Sequence, residues 1–272
     1  MSTMTGGDLN LVKPELTDDH KVTIGTDLPS NFQKIDDAFT ARRVSNRNIL
    51  HNWDFQIWQR GDSIPLVSTG ISADRWRVWQ DGFQASKQVD VDGRPYIRIV
   101  NISGVTRNLY LYQTPENYTM LNGEILTSSV RIRGYNGFSG AFYMRHGSTG
   151  NTDVNLTNDW KDVPCTGVFV PTTTYSLGYL LYGASSNLIP NGQGIEIKAT
   201  KLELGSISTL ANDPPGDFGE QLLLCKRFYR LWTTEAARTA ALAEVGLMRL
   251  ASPTLSTIVI GGTTYYAASA DL

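Results

Sequence analysis

The chain reads as an all-β protein: a jelly-roll β-sandwich preceded by a short helical segment and followed by a helix with short strands. Three observations carry that reading. Between about residue 48 and residue 210, segments such as "RPYIRIVNIS", "RNLYLYQT", "EILTSSVRIRGY", "GAFYMRH", "TGVFVP", "YSLGYLLYG" and "GIEIKATKLELG" alternate or are rich in β-branched and aromatic residues. Gly, Asn, Asp and Pro separate these runs, as turns require. No long helical pattern lies between them, and strands so short and numerous close into two packed sheets. With 272 residues, 41% hydrophobic and 18% charged, the chain can bury a large β core and a smaller accessory part.

Three parts follow in order. Residues 1 to about 47 are polar and poor in strand formers, and hold one helix signal in "SNFQKIDDAF". Ser30 is placed to cap, with Gln33 three residues on, while Phe32, Ile35 and Phe39 recur at helical spacing. An apolar stripe this short needs a surface to cover it: another copy, another protein, or the chain's own β domain. In the sandwich, residues 48–210, the last strand changes parity. Ile195, Ile197 and Ala199 share one face and Leu202 and Leu204 the other, so a bulge is expected near Thr200. The third part, residues 211–272, opens with Pro214 and Pro215. Asp217 is expected to cap a helix that carries Leu222, Cys225 and Tyr229 on one face. "TAALAEVGLMRL" and "STIVIGGTTYYAASADL" read as short strands, the latter as a hairpin turning at Gly261-Gly262.

Charge and cysteine usage narrow the function. A net charge of −2 without a long basic run removes the attraction that nucleic-acid binding needs. No apolar run approaches the length of a membrane span, and the opening "MSTMTGGDLNLVKPELTDD" lacks the regions of a Sec-type signal, so synthesis in a cytoplasm without Sec-type export or membrane insertion is expected. Cys165 and Cys225 stand far apart with no CxxC pair, which points to free buried thiols.

The residues from "NILHNWDFQIWQRG" and "ADRWRVW" through "LYQTPENYTMLNGEILTSSVRIRG" and "WKDVPCTGVFVP" to "KLELGSISTLANDPPGDFGEQLLLCKRFYRLW" resemble, in order, the jelly-roll module of tailed-bacteriophage tail-fibre and minor tail proteins. "LNLVKPELTDDHKVTIGTDLPSNFQKIDDAF" is similar to the starts by which such fibres attach to the particle. The resemblance covers about residues 9–232. It implies a virion protein, a tail fibre or spike, forming a homotrimer, docked to other virion proteins through Phe32, Ile35 and Phe39 and facing a host surface polysaccharide. A purely structural particle component, a head decoration or baseplate connector, is the alternative. The chain departs from the pattern at Trp53, where the family usually has Gly, and in the link "ANDPPGDFG".

Candidate contacts follow from burial and position. Trp58, Trp76 and Trp160 fall on pattern positions and read as packing, because modules alike in fold face different receptors. Trp53 and Trp79 are less tied to the pattern and read as contacts. Tyr135 and Phe138 in the loop "RGYNGFSG" are assigned to recognition, as loops on a rigid sandwich carry it. Tyr265 and Tyr266 on the C-terminal hairpin join them as amphipathic contacts. No Ser-His-Asp order with a Gly-x-Ser-x-Gly turn is present, and His20, His51 and His146 sit in unrelated contexts. Asp54, Asp74 and Glu203 are the carboxylates available to a glycan-cleaving site, Asp74 being expected to pair with Arg75. Asp54 with Glu203 could instead hold a structural calcium or stay unligated. On this basis the chain reads as non-catalytic, with no cofactor and no metal.

Overall fold

The structure is a computed structural model and describes residues 3–4, 12–13, 29–34, 45–66, 70–78, 81–116, 118–150, 154–171, 179–183, 188–243, 248 and 253–270. The chain divides into two compact units, Met1–Asn46 and Arg47–Leu272. In the first, β1 (Thr3–Met4) pairs antiparallel with β2 (Val12–Lys13), and residues 29–34 form helix α1. Pro29 and Ser30 are both helical, so Ser30 is not the cap. Pro29, with φ preset and no amide hydrogen to place, suits the first turn. Phe32 is 67% exposed, while Ile35 and Phe39 lie outside the described residues.

The second unit is built on two sheets with antiparallel strands throughout. Its strands are β3 (Ser63–Leu66), β4 (Arg77–Val78), β5 (Phe83–Val89), β6 (Pro95–Asn101), β7 (Tyr110–Gln113), β8 (Ile125–Tyr135), β9 (Ala141–His146), β10 (Thr149–Gly150), β11 (Val154–Asn155), β12 (Lys161–Val168), β13 (Tyr179–Gly183) and β14 (Gly194–Leu204). One sheet runs β12-β8-β14-β6-β5-β3 and the other β10-β9-β13-β7-β4, with β11 also on β9. Non-sequential neighbours such as β8-β14-β6 are the crossovers of a jelly roll. Alternation decides which side chains meet between the sheets. Phe83, Ile97, Ile99, Val130, Ile132 and Ile195 of the first sheet share one buried cluster with Val78, Leu111, Phe142 and Met144 of the second. Burying each such side chain contributes about 1.5–3 kcal/mol relative to exposure, so the paired sheets hold the fold. Cys165 lies in this cluster and Cys225 is buried in a later helix, both as free thiols. Burial pushes the Cys165 thiol up from its ordinary range.

The parity change in β14 is real. Its register on β8 slips between Ile197 and Ala199, leaving Lys198 as the inserted residue, two positions before the expected Thr200. Pro164 occupies β12, which pairs with β8 alone, the edge position where a missing amide hydrogen costs no ladder bond.

After the sandwich, Asp217 caps α2 (Phe218–Lys226), its carboxylate accepting from Glu220 N at 2.7 Å. The helix ends before Tyr229, which starts β15 (Tyr229–Trp232) instead of extending the helical face. Gln221 and Cys225 are its buried residues. "TAAL" is not a strand either: it belongs to α3 (Glu235–Leu242), capped by Thr234, whose hydroxyl accepts from Ala237 N. Alanine's helix propensity together with a threonine cap decides that segment. β16 (Thr254–Ile260) and β17 (Thr263–Ser269) form the expected hairpin, with Gly261 at φ 55° and Gly262 at φ 80°. Both central residues take the left-handed conformation of a type I′ turn. The small sheet runs β15-β17-β16. No helix among the described residues is long and apolar enough to cross a membrane.

The stretch "NILHNWDFQIWQRG" braces these parts. Asn52 is fully buried at φ 49°, and its amide donates to Ile57 O and Asp74 O, both at 2.9 Å, while its Oδ1 accepts from Ile57 N. Its own backbone N–H donates to Gln221 Oε1 at 2.6 Å, fastening α2 to the loop. Trp76 is 0% exposed and its indole donates to Asn52 O at 2.9 Å, and Trp58, also buried, donates to Phe55 O. Asp74 pairs with Arg60 at 2.8 Å. Arg75 lies over the Phe228 ring at 3.4 Å and donates to Thr114 O. These amides and charges satisfy one another inside the fold, as buried polar groups must.

His51 belongs to the same brace. Its backbone exchanges hydrogen bonds with Gln113, its ring packs edge-on to Phe228 at 5.9 Å, and its Nδ1 has no hydrogen-bond partner among the described residues. Burial, then Arg75, Arg227 and Arg47, lower its pKa from 6.5 to about 3. Because the unfolded His51 takes a proton near 6.5 and the folded one only near 3, the unfolded state binds more protons between those values and stability falls with pH. Thermal melts from about pH 7 down to about pH 4 are therefore expected to show a falling Tm, and His51→Phe a shallower fall. An identical slope in the variant would remove His51 from the account.

Candidate functional site

Outward-facing residues of the β12-β8-β14-β6-β5-β3 sheet, together with the chain that follows β14, form a cleft of about 280 Å³. Its lining comes from three places: the bulge, Lys198 and Ala199, with Arg131 of β8 and the turn Gly93–Pro95; the loop residues Trp53, Asp54 and Gln56; and the second wall, Leu210, Asp213, Pro214 and Pro215.

That second wall is a strap folded back over the sheet, and buried charges hold it there. Lys201 is 0% exposed; its ammonium pairs with Asp213, donates to Thr209 Oγ1 at 2.8 Å and lies 3.7 Å from Glu203 Oε2. Glu203, also 0% exposed, accepts from Thr209 N at 2.7 Å and from its hydroxyl at 2.5 Å. Further along, Asp54 Oδ2 accepts from Gly216 N at 3.0 Å and from Gln56, whose amide also donates to Gly216 O at 2.8 Å. Burial pushes the Asp54 carboxyl up, against the hydrogen bonds from Gln56 and Gly216 that pull it down. The double proline stiffens the strap, since each ring fixes φ. Asp54 and Glu203, the two carboxylates considered for calcium, thus engage different parts of the strap. Among the described residues no group of three or more His, Cys, Asp or Glu is placed to hold a metal.

Next to the cleft the same sheet face carries rings and cations. Glu196, 1% exposed, lies between Arg98 at 2.6 Å and Arg133 at 2.5 Å. Arg98 covers Tyr135 at 4.1 Å, while Arg133 at 4.5 Å and Lys198 at 4.9 Å flank Trp160. Tyr96 meets Trp160 edge-on at 5.7 Å. Lys198 joins the two regions, because it touches Trp160 and lines the cleft.

The residues assigned to recognition from sequence are distributed unevenly. Trp53 is half-buried and forms a cleft wall. Tyr135 is half-buried on the adjoining face, under Arg98. Phe138 requires correction: it is 3% exposed and belongs to the sandwich core, because the turn at Asn136 and Gly137, both at positive φ, points it inward. Gly134 permits that turn, since a Cβ there would stand 1.8 Å from Phe138 O. Tyr265 and Tyr266 are half-buried on the small C-terminal sheet, Tyr266 under Arg238 at 5.5 Å, and neither lines the cleft. Trp79 lies outside the described residues. Trp160, read as packing, sits among the cations of the sheet face. Sequence reasoning missed Arg94, Arg131, Lys198 and the Pro214-Pro215 wall. Their signals were present in the parity break of "GIEIKATKLELG" and in the divergent link "ANDPPGDFG", each of which marked an irregularity without showing that the two meet.

No family model matches the chain, and no curated protein matches it. Among solved structures, arabinose-bound α-L-arabinofuranosidase MgGH51 is 13% identical over 61% of this chain and 27% of its own, with a TM-score of 0.41. The module TmCBM61 in complex with β-1,4-galactotriose is 17% identical over 58% of this chain and 99% of its own, TM-score 0.38. The enzymatically active domain of tailspike protein 4 of bacteriophage CBA120 is 13% identical over 58% of this chain and 21% of its own, TM-score 0.36. The chain thus spans less than a third of the arabinofuranosidase and of the tailspike domain. At these identities and TM-scores the likeness says nothing of activity or ligand, and the all-β sandwich rests on the sheet order itself. One expectation is corrected by these findings. An arabinofuranosidase, and a cyclase from Fischerella sp. TAU at TM-score 0.39 with 13% identity over 60% of this chain and 100% of its own, stand among the solved structures like this one. The non-catalytic reading is therefore not kept, since a missing Ser-His-Asp order does not exclude catalysis.

Proposed function

We propose that the chain is a glycan-binding component of a virion, a tail fibre or spike whose sandwich engages a host-surface saccharide in the Trp53 cleft. One observation carries the binding half of this reading: an indole wall, proline faces and convergent polar groups around about 280 Å³. Pyranose rings stack on indole, and the surrounding amide and charged groups suit sugar hydroxyls. The virion half is supported by the ordered resemblance over residues 9–232. In that reading residues 1–47 attach to other virion proteins and three copies assemble around an axis.

Trp53→Ala tests it. The Trp53 backbone oxygen accepts from Thr200 N at 2.9 Å and Thr200 Oγ1 at 3.1 Å, so the substitution leaves the backbone contacts in place. Calorimetric titration with a saccharide that binds the wild-type chain is expected to show about a tenfold loss of affinity, or ~1.4 kcal/mol. A folded variant that binds as tightly as wild type would move the site elsewhere. A wild-type chain that binds no saccharide and does not adsorb to host cells would favour the purely structural particle component.

A further inference from the structure

We infer that the cleft takes an acidic saccharide, one whose sugar ring bears a carboxylate such as a uronic or sialic acid; the inference rests on the glycan-binding reading above. The ground is how the lining charges are already engaged. Three cations, Arg94, Arg131 and Lys198, line the cleft against two carboxylates, Asp54 and Asp213. Both carboxylates are turned to the strap: Asp54 to Gly216 and Gln56, and Asp213 to the buried Lys201. Asp213 is offset by the Lys201 ammonium, while Asp54 meets only the neutral donors of Gln56 and Gly216. Arg131 forms a two-pronged pair with Asp162, both bonds at 2.7 Å, and Lys198 pairs with Asp90 at 2.8 Å. These two remain partly open, with side-chain exposures of 38% and 26%.

Arg94 is different. It sits on the exposed β5-β6 turn, and its guanidinium makes no hydrogen bond or ion pair with a described residue. The turn is held without it, by Asp90 Oδ1 accepting from Asp92 N at 2.9 Å and from Arg94 N at 2.8 Å. The cleft is therefore lined by an uncommitted planar cation as well as by the Trp53 indole and Pro214-Pro215. A guanidinium pairs two-pronged with a carboxylate, and the charge-assisted bonds that result are about twice as strong as neutral ones. A saccharide stacked on Trp53 with its carboxylate toward Arg94 would engage both, while Lys198 and Arg131 stay with Asp90 and Asp162. A neutral sugar would leave Arg94 solvated and gain only the stacking.

The test uses the full chain on an array of oligosaccharides that includes uronate- and sialate-bearing members with their neutral counterparts. Acidic members are expected to dominate the hits. The strongest acidic hit is then titrated beside its carboxyl methyl ester, and against Arg94→Gln. The ester and the variant should each weaken binding about tenfold or more at low salt, and the gap should narrow as salt screens the pair. Arg94→Gln changes an exposed turn whose backbone bonds persist, so an unchanged melting temperature is expected. Neutral hits alone would overturn the acidic assignment while leaving glycan binding intact, as would acidic hits indifferent to Arg94→Gln. An array with no hits at all would remove the glycan reading itself.

Discussion

Lys201→Ala is expected to destabilise the Arg47–Leu272 unit by about 3–5 kcal/mol, because removing one member of a buried ion pair strands the others. Glu203 is 0% exposed and Asp213 7% exposed on either side of the ammonium, so two carboxylates would remain in a low-dielectric site without their cation. The strap over residues 205–213 should loosen first, and the cleft wall with it. Urea unfolding followed by tryptophan fluorescence measures the effect, and the triple variant Lys201→Met, Glu203→Gln, Asp213→Asn should recover much of the loss. A loss below about 1 kcal/mol, the size of an exposed pair, would show that the strap is not held by this charge cluster.

Trp76→Ala should cost about 3–5 kcal/mol, enough to unfold a domain of marginal stability. Trp76 has no exposed surface, packs at a 39° tilt against Phe55 with ring centroids 5.3 Å apart, and donates its indole hydrogen to Asn52 O. The substitution opens a cavity and leaves a buried carbonyl short of one donor. Its effect is unlike that of Trp53→Ala, in which a half-buried indole is lost from a surface cleft. A Trp76→Ala chain with near-native stability and diminished saccharide binding would reverse the division drawn between framework and contact.

The sandwich was legible because its signal is local. Period-two alternation in β6, β8 and β14 is imposed by a two-sided strand, so Ile97, Ile99, Val130, Ile132, Ile195 and Ile197 could be placed inside before any tertiary contact was known. The hairpin was legible for a similar reason, as Gly261-Gly262 is what two successive positive φ angles require. Errors arose where neighbours outweigh local pattern. Phe138 reads as a contact because it lies in the loop "RGYNGFSG", yet the turn aims it into the core. "TAALAEVGLMRL" reads as a short strand, yet Thr234 and four alanines within Glu235–Leu242 specify a helix.

The site was less legible than the fold. Trp53 stood out as a departure from the pattern, and it does line the cleft. Arg94, Lys198 and Asp213 come from a hairpin turn, a bulge and a strap far apart in sequence, and nothing local links them. The polar residues of "NILHNWDFQIWQRG" illustrate the opposite limit. Amides beside tryptophans suit a sugar site and a braced loop equally well, and only the bonds from Asn52 to Ile57, Asp74 and Gln221 separate the two.

The central claim is that the saccharide lies in the Trp53 cleft on the sandwich. A crystal structure of the full chain soaked with the strongest acidic hit tests it most directly. The account predicts a sugar ring stacked on the Trp53 indole with its carboxylate against the Arg94 guanidinium, between the β14 bulge and Pro214-Pro215. A sugar bound instead on the small sheet at Tyr265 and Tyr266, with the cleft empty, would contradict it.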